Sequence, residues 1–270
     1  MRAIVAGAGH LPEILAARLQ GAPHRLCALE GFVPEGWAAL DVDVFRIEQI
    51  GSLLNRLVEA GVTQVCFAGV IRRPEMDPTK VDAASAPLLG RLVAAAGQGD
   101  DGALRAVAAL FEERGMQVIG AQDIAPDLLP QAGCLTQAEP TEAQRADAAR
   151  AEEIVEALGR ADVGQACVVA KGQALTVEGL GGTDWMLRSI DPAGRARAPW
   201  MPQGGLLFKA PKPTQDRRFD MPTVGPTTIA LAHSAGLEGI VIKAEGVFLI
   251  DPQASIAAAN DAGLFLWVRP

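Results

Sequence analysis

Tyrosine is absent from the 270-residue chain, and all aromatic residues together make up 4% of it. A platform that stacks single-stranded bases needs a row of such rings, so that class is excluded. Positive charge is in deficit as well: 24 Lys and Arg stand against 32 Asp and Glu, a net charge of −8. Holding nucleic-acid phosphates takes a surplus of cations, and no nucleic-acid partner is expected. The four cysteines, Cys27, Cys66, Cys134 and Cys167, form no CxxC pair, which removes zinc knuckles and thioredoxin-like motifs. Cys27, Cys66 and Cys167 lie in apolar runs (RLCAL, QVCFAG, QACVVA) and read as small buried core residues. No run of about 18 apolar residues occurs, so no membrane span is expected. The opening MRAIVAGAGHLPEIL meets Pro12 and Glu13 too early for a signal-peptide core, and the expected location is cytoplasmic. GxSxG, HExxH and GxxxxGKS/T are missing. His10, His24 and His233 show no ligand spacing, and His233 in TIALAHSAG reads as a packed helix residue.

What is present is apolar material in quantity, 49% of residues against 21% charged, enough for one large or two modest cores. The first half alternates strand and helix signals. Strand runs at AIVAGAG (3–9), HRLCALEG (24–31), TQVCFAGV (63–70) and MQVIGAQ (116–122) are separated by helical patterns at 11–21, 48–60, 85–97 and 101–114. That alternation predicts a parallel sheet with helices on both faces, a Rossmann-like domain over 1–132. A Pro-punctuated stretch around 123–142 and an Ala/Glu-rich helix at 142–159, with Thr141 as N-cap, suggest a linker and connecting helix over 133–160. From 161 to 270 the predicted order is two strands around a Lys171-Gly172 turn, a helix in GGTDWMLRSI, and a strand in GGLLFKAP (204–211). A helix in PTTIALAHSAG follows, then GIVIKA and VFLID as a strand pair, a helix in PQASIAAANDAG and a last strand LFLWV. The expected architecture is α/β in two domains: a Rossmann-like parallel sheet, then a mixed α/β domain, with the active site in the cleft.

Several segments carry chemistry. Gly7-Ala8-Gly9 ends the first strand before a helix, where glycine lets the backbone approach a phosphate. A dinucleotide fingerprint would want a third glycine where Pro12 stands, which weighs against the alternative of an NAD-linked oxidoreductase with Glu30 as the ribose-binding acid. Gly69 ends another strand ahead of Arg72 and Arg73, a phosphate-binding or solvated basic turn. Asp100 and Asp101 open a helix, one suited to capping and the pair to a metal or to substrate hydroxyls. Gly181-Gly182-Thr183-Asp184 opens another helix, and its N–H groups and hydroxyl suit either a phosphate or a cap. The densest set is LFKAPKPTQDRRFDMPTVG, 207–225, where Lys209, Lys212, Gln215, Asp216, Arg217, Arg218 and Asp220 share a loop bracketed by Pro211, Pro213 and Pro222. Lys and Arg there can neutralise phosphate oxygens, and Asp can hold a divalent cation or position a water.

Taken in order, AGAGHLP, AGVIRRP, GQGDDGALRAV, EGLGGTDWMLR, FKAPKPTQDRRFDMPTVG and GLEGIVIKAEG resemble the LpxI-type UDP-2,3-diacylglucosamine pyrophosphatases of lipid A biosynthesis in Gram-negative bacteria, over essentially the whole chain. The resemblance implies Mg²⁺-dependent hydrolysis of the UDP-diacylglucosamine pyrophosphate to UMP and 2,3-diacylglucosamine 1-phosphate (lipid X). It makes Asp220 the strongest catalytic candidate and places Asp100, Asp101, Thr183, Asp184, Lys209, Lys212, Gln215, Asp216 and Arg218 at the site without fixing their separate roles. On residue chemistry, Gly7, Gly9, Gly69, Arg73, Thr183, Lys209, Lys212, Gln215 and Arg218 are the candidates for substrate binding, and Asp220, Asp100, Asp101, Asp184 and Asp216 the candidates for the metal, with the ligands among them left open. Peripheral contact with the inner membrane and a homo-oligomer stay open, as does a non-catalytic nucleotide- or lipid-binding module. Two departures stand out: Gly7-Ala8-Gly9 where three glycines are usual, and Lys243-Ala244-Glu245 where an acid followed by Ala-Gly is usual.

Overall fold

The computed structural model describes all residues except 72–75, 97–99, 197, 214 and 220, and it does not describe the side chains of 96, 100, 101 and 195. The chain divides into two compact units: residues 1–126 together with 216–220, and residues 127–215 together with 221–270.

In the first unit, β1 (Arg2–Ala6), β2 (His24–Leu29), β3 (Val42–Phe45), β4 (Gln64–Ala68) and β5 (Gln117–Ile119) form one sheet in the order β3-β2-β1-β4-β5. Every pairing in it is parallel. The order reverses between β1 and β4, the switch point outside which ligands of such sheets bind. Helices α1 (His10–Leu19), α2 (Ile50–Glu59), α3 (Ala86–Ala96) and α4 (Asp100–Glu112) connect the strands. Alternate strand positions face opposite sides of a sheet. Ala3, Val5, Cys27, Leu29, Val65 and Phe67 join a core with Leu53, Leu54 and Leu57 of α2 and Leu110 and Phe111 of α4. The intervening Ile4, Ala6, Leu26, Ala28 and Cys66 are equally buried, so both faces are covered. β3 went unread in the sequence because VDVF is four residues long and carries Asp43 and half-exposed valines, the blunted character of an edge strand. Burial pushes the Cys27 and Cys66 thiols up to about 12, in keeping with inert core cysteines.

The second unit begins with the short strand β6 (Gly133–Cys134) and helix α5 (Glu142–Arg160). Thr141 caps this helix reciprocally: Gln144 N donates to Thr141 Oγ1 at 3.3 Å, and Thr141 N donates to Gln144 Oε1 at 2.8 Å. Next come β7 (Ala166–Ala170), β8 (Gln173–Val177), α6 (Gly182–Ser189), α7 (Pro192–Ala196), β9 (Leu206–Lys209), β10 (Thr223–Val224) and α8 (Pro226–Ser234). β11 (Gly239–Lys243), β12 (Phe248–Leu249), α9 (Pro252–Asp261) and β13 (Phe265–Arg269) complete it. The main sheet runs β6-β13-β11-β9-β7-β8. It is parallel across β13-β11-β9 and antiparallel at both flanks.

Residues 133–160, expected as a connection, are built into this unit: β6 pairs with β13, and α5 lays Ala148, Ala151 and Val155 over Cys167, Val169, Leu206 and Phe208. The opposite face is covered by α6, α8 and α9 through Met186, Leu187, Ile229, Ala232 and Ala259. The expected pairing of GIVIKA with VFLID does not occur. β11 already has β9 and β13 on its two sides, so Phe248–Leu249 pairs in parallel with Thr223–Val224 as a separate ladder. His233 is exposed rather than packed, because α8 buries Thr228, Ile229 and Ala232, and the next residue turns away.

The β7–β8 hairpin turns at Lys171 and Gly172, both left-handed with φ 52° and 76°. The carboxylate of Asp147 on α5 holds it, accepting from Lys171 N at 2.9 Å and Gly172 N at 2.6 Å. Asp147→Ala leaves both donors without their charged acceptor, and unfolding free energy should fall by about 2–3 kcal/mol in urea denaturation of the full chain. A loss under about 0.5 kcal/mol would show that water satisfies the turn equally well.

Candidate functional site

At the carboxyl edge of the first sheet two glycine turns meet. Gly7 N donates to Ala68 O at 2.8 Å, and Ala8 and Val70 exchange N–H···O bonds of 2.9 and 2.8 Å. A Cβ on Gly7 would stand 2.5 Å from Val70 O, and one on Gly69, whose φ is +91°, would stand 2.6 Å from Gly7 O. Glycine at 7 and 69 is therefore required by this backbone crossing at the switch point. Gly9 differs: its φ of +108° demands glycine, but the space a side chain would enter is open. It precedes α1, whose first turn carries Glu13, and Glu13 accepts from Gly36 N at 2.7 Å. That bond holds the Glu13 carboxyl below its usual range. Glu30 is taken up by Arg46, which also donates to Glu48 at 3.1 Å. Glu48, 1% exposed, accepts in addition from Asp77 N at 2.6 Å and so anchors the chain beyond the loop that follows Gly69. Arg73 lies outside the described residues, as do Asp220 and the side chains of Asp100 and Asp101.

The charged loop after β9 is divided between the units, with 216–220 belonging to the first. There Asp216 binds Arg218 through both oxygens, Nε at 3.0 and 3.2 Å and Nη2 at 2.7 Å, and accepts from Arg218 N at 3.0 Å. Arg218 Nη1 also donates to Glu112 of α4 at 2.9 Å. Phe219 packs on Phe67 at 5.5 Å between ring centroids, and Phe67 meets Phe111 edge-on at 5.1 Å. The Arg218 guanidinium holds the Asp216 carboxyl below the ordinary aspartate range, and the carboxylate in turn raises the guanidinium.

In the second unit the sequence candidates Thr183 and Lys209 come together. Lys209 ends β9 on the same face as Leu207, turned towards the start of α6, and is 6% exposed. Its ammonium donates to Thr183 Oγ1 at 2.8 Å and to Thr223 O at 3.0 Å. Thr183 does not cap its helix; it donates to Glu178 Oε1 at 2.9 Å. Glu178, 7% exposed, accepts from Gln165 N at 3.1 Å with its other oxygen. Sequence reasoning missed Glu178, although it opens the EGLGGTD segment five residues before Thr183. An ammonium at this depth costs several kcal/mol unless an anion and hydrogen bonds compensate it, and Glu178 is a carboxylate one hydroxyl away. Gln215 shapes the neighbouring turn, accepting from Lys212 N at 2.9 Å and donating N–H to Lys212 O at 3.1 Å. Lys212 Nζ pairs with Asp162 at 2.5 Å. Asp184 is exposed on the first turn of α6.

Among the described residues no three His, Cys, Asp or Glu side chains converge as a metal site would require. Of the five candidate metal ligands, Asp216 is bound by Arg218 and Asp184 stands exposed, while Asp220 and the side chains of Asp100 and Asp101 lie outside the described residues.

Comparison with known proteins places this geometry. The LpxI N-terminal domain matches residues 1–128 and the LpxI C-terminal domain residues 131–267. The chain belongs to the LpxI family. A relative from Caulobacter vibrioides, UDP-2,3-diacylglucosamine pyrophosphatase LpxI, is 37% identical over 268 residues, covering 97% of this chain and 95% of its own. The boundary between the two LpxI domains falls within a few residues of the structural division after Pro126. The departure at Lys243-Ala244-Glu245 acquires a physical reading here. Glu245 adopts φ 57°, the left-handed conformation that glycine tolerates best, and Lys243 pairs with Glu152 at 2.8 Å.

Gly69→Ala combines a disallowed φ with backbone overlap, and it should lower unfolding free energy by about 2–4 kcal/mol in urea denaturation. The Asp216–Arg218 pair sets a pH dependence. Because the folded carboxyl lies below its unfolded value, its contribution is present in full above the usual aspartate range and is lost as pH falls through the lowered value. The melting-temperature gap between wild type and Asp216→Asn should accordingly be constant from pH 7 to about 5 and close at lower pH. A gap that persists at pH 2 would mean that shape rather than charge is responsible.

Proposed function

We propose that this protein hydrolyses the pyrophosphate bond of UDP-2,3-diacylglucosamine to UMP and 2,3-diacylglucosamine 1-phosphate, a step towards lipid A. The observation that carries the reading is the 37% identity, along nearly the whole of both chains, to a UDP-2,3-diacylglucosamine pyrophosphatase. The physical chemistry of the chain supports it. A pyrophosphate diester repels hydroxide by its own charge, so catalysis consists of charge neutralisation and alignment of water. Lys209 offers an ammonium held in a dry setting, where its field is weakly screened. The start of α1 at Gly9 offers backbone N–H groups suited to a nucleotide phosphate. Asp220 is the residue we assign to orienting the water, and Mg²⁺ is the cation we expect the reaction to need.

The test is UMP release from UDP-2,3-diacylglucosamine by wild type and Asp220→Ala, each with Mg²⁺ and with chelator. Release by wild type that chelator removes, and that falls by about 10³-fold or more in Asp220→Ala, is the expected result. Near-wild-type turnover by a folded Asp220→Ala would overturn the role of Asp220. Binding of the lipid without release under any divalent metal would make the chain a binding module.

A further inference from the structure

We infer that Glu178 is a positioning residue for the Lys209 ammonium, acting through the Thr183 hydroxyl. The inference rests on the proposed hydrolysis and extends it to a residue that the motif reading did not include.

The direction of each hydrogen bond is fixed by the chemistry of the groups. An ammonium only donates, so Thr183 Oγ1 must accept from Lys209. The single hydroxyl proton of Thr183 then goes to Glu178 Oε1. The second carboxylate oxygen accepts from Gln165 N at the start of β7. Glu178 therefore serves two donors with two acceptors, which a carboxylate can do and an amide cannot. Replacing it by glutamine turns one acceptor into a donor facing either the Thr183 hydroxyl or the Gln165 N–H, and it removes the negative charge nearest to Lys209 along this chain of bonds. The other end of the arrangement is Thr223 O, three residues beyond Asp220 in the sequence. The relay thus runs from a buried anion to the backbone that follows the residue assigned to the chemistry. A carboxylate needed only to neutralise a buried lysine would do so most directly by touching it; here a hydroxyl stands between them, and it sets the angle at which the ammonium is presented.

The experiment is steady-state UMP release from UDP-2,3-diacylglucosamine by wild type, Glu178→Gln, Thr183→Val, Thr183→Ser and the Glu178→Gln/Thr183→Val double variant, with melting temperatures alongside. Glu178→Gln and Thr183→Val should each lower kcat by about 10- to 100-fold while KM changes by less than about threefold, the signature of an interaction made in the transition state. Thr183→Ser, which restores the hydroxyl, should recover most of that loss. The double variant should be no slower than the worse single one, because the groups act as one unit.

A kcat for Glu178→Gln within about threefold of wild type would overturn the inference, as would losses that multiply in the double variant. Loss in Thr183→Ser equal to that in Thr183→Val would do the same. Should Glu178→Gln fail to fold, the comparison of the two Thr183 variants decides the matter. No release by wild type itself would instead overturn the proposed hydrolysis, so the two failures are separable.

Discussion

A lysine ammonium buried at the end of a central strand is the constraint around which the second unit is organised. β9 is otherwise apolar, Leu206 and Phe208 facing α5 and Leu207 facing α6, α8 and α9. Placing Lys209 next in that series puts a full charge on an oily face. The surrounding elements are arranged to meet it: α6 begins where Thr183 can accept, β8 leads into Glu178, and the backbone at Thr223 turns a carbonyl inward. A protein has no need of such a group for stability alone, since an apolar side chain of similar volume fills the same space at no desolvation cost. Its presence at the carboxyl end of a parallel strand, where α/β sheets bind ligands, argues for chemistry.

The first unit solves a different problem, the close passage of two chains. Gly7 and Gly69 are glycines because a Cβ on Gly7 would strike the backbone of Val70 and one on Gly69 the backbone of Gly7 and Ala8, and the Ala8–Val70 bridge ties their turns together. This rigid crossing leaves Gly9 and the start of α1 facing open space. Glycine-rich turns at strand ends thus hold two kinds of residue, those that permit the frame and those that permit access, and only the Cβ geometry tells them apart.

Much of this was legible in the residues. The alternation of apolar runs with helical spacing gave the parallel sheet, and Thr141 marked the start of α5. What periodicity could not convey was tertiary competition. VFLID is as good a strand as GIVIK, and only the occupation of both edges of β11 sends it to Thr223–Val224. Likewise the loop 207–225 announced itself as a cluster of charges, but its division into Lys209 with Thr183, Lys212 with Asp162, and Asp216 with Arg218 depends on partners more than 20 residues away for the first two and on local geometry for the third. Glu178 stood in a recognisable segment and was passed over because a single acid after a strand carries no pattern of its own.

The five residues 216–220 belong to the first unit although 89 residues, 127–215, separate them from its main body. During synthesis the first sheet can form once residue 119 has left the ribosome, yet Phe67 then lacks the Phe219 ring that later packs on it, and Glu112 lacks its arginine. The amino-terminal half must pass through an interval with that apolar surface uncovered while the chain for β7 to β9 is still being made. Order of assembly is thereby written into the connectivity: the segment 216–220 is the piece that completes the first unit, and a chain interrupted before it would hold the first sheet without the ring and the arginine that finish its core.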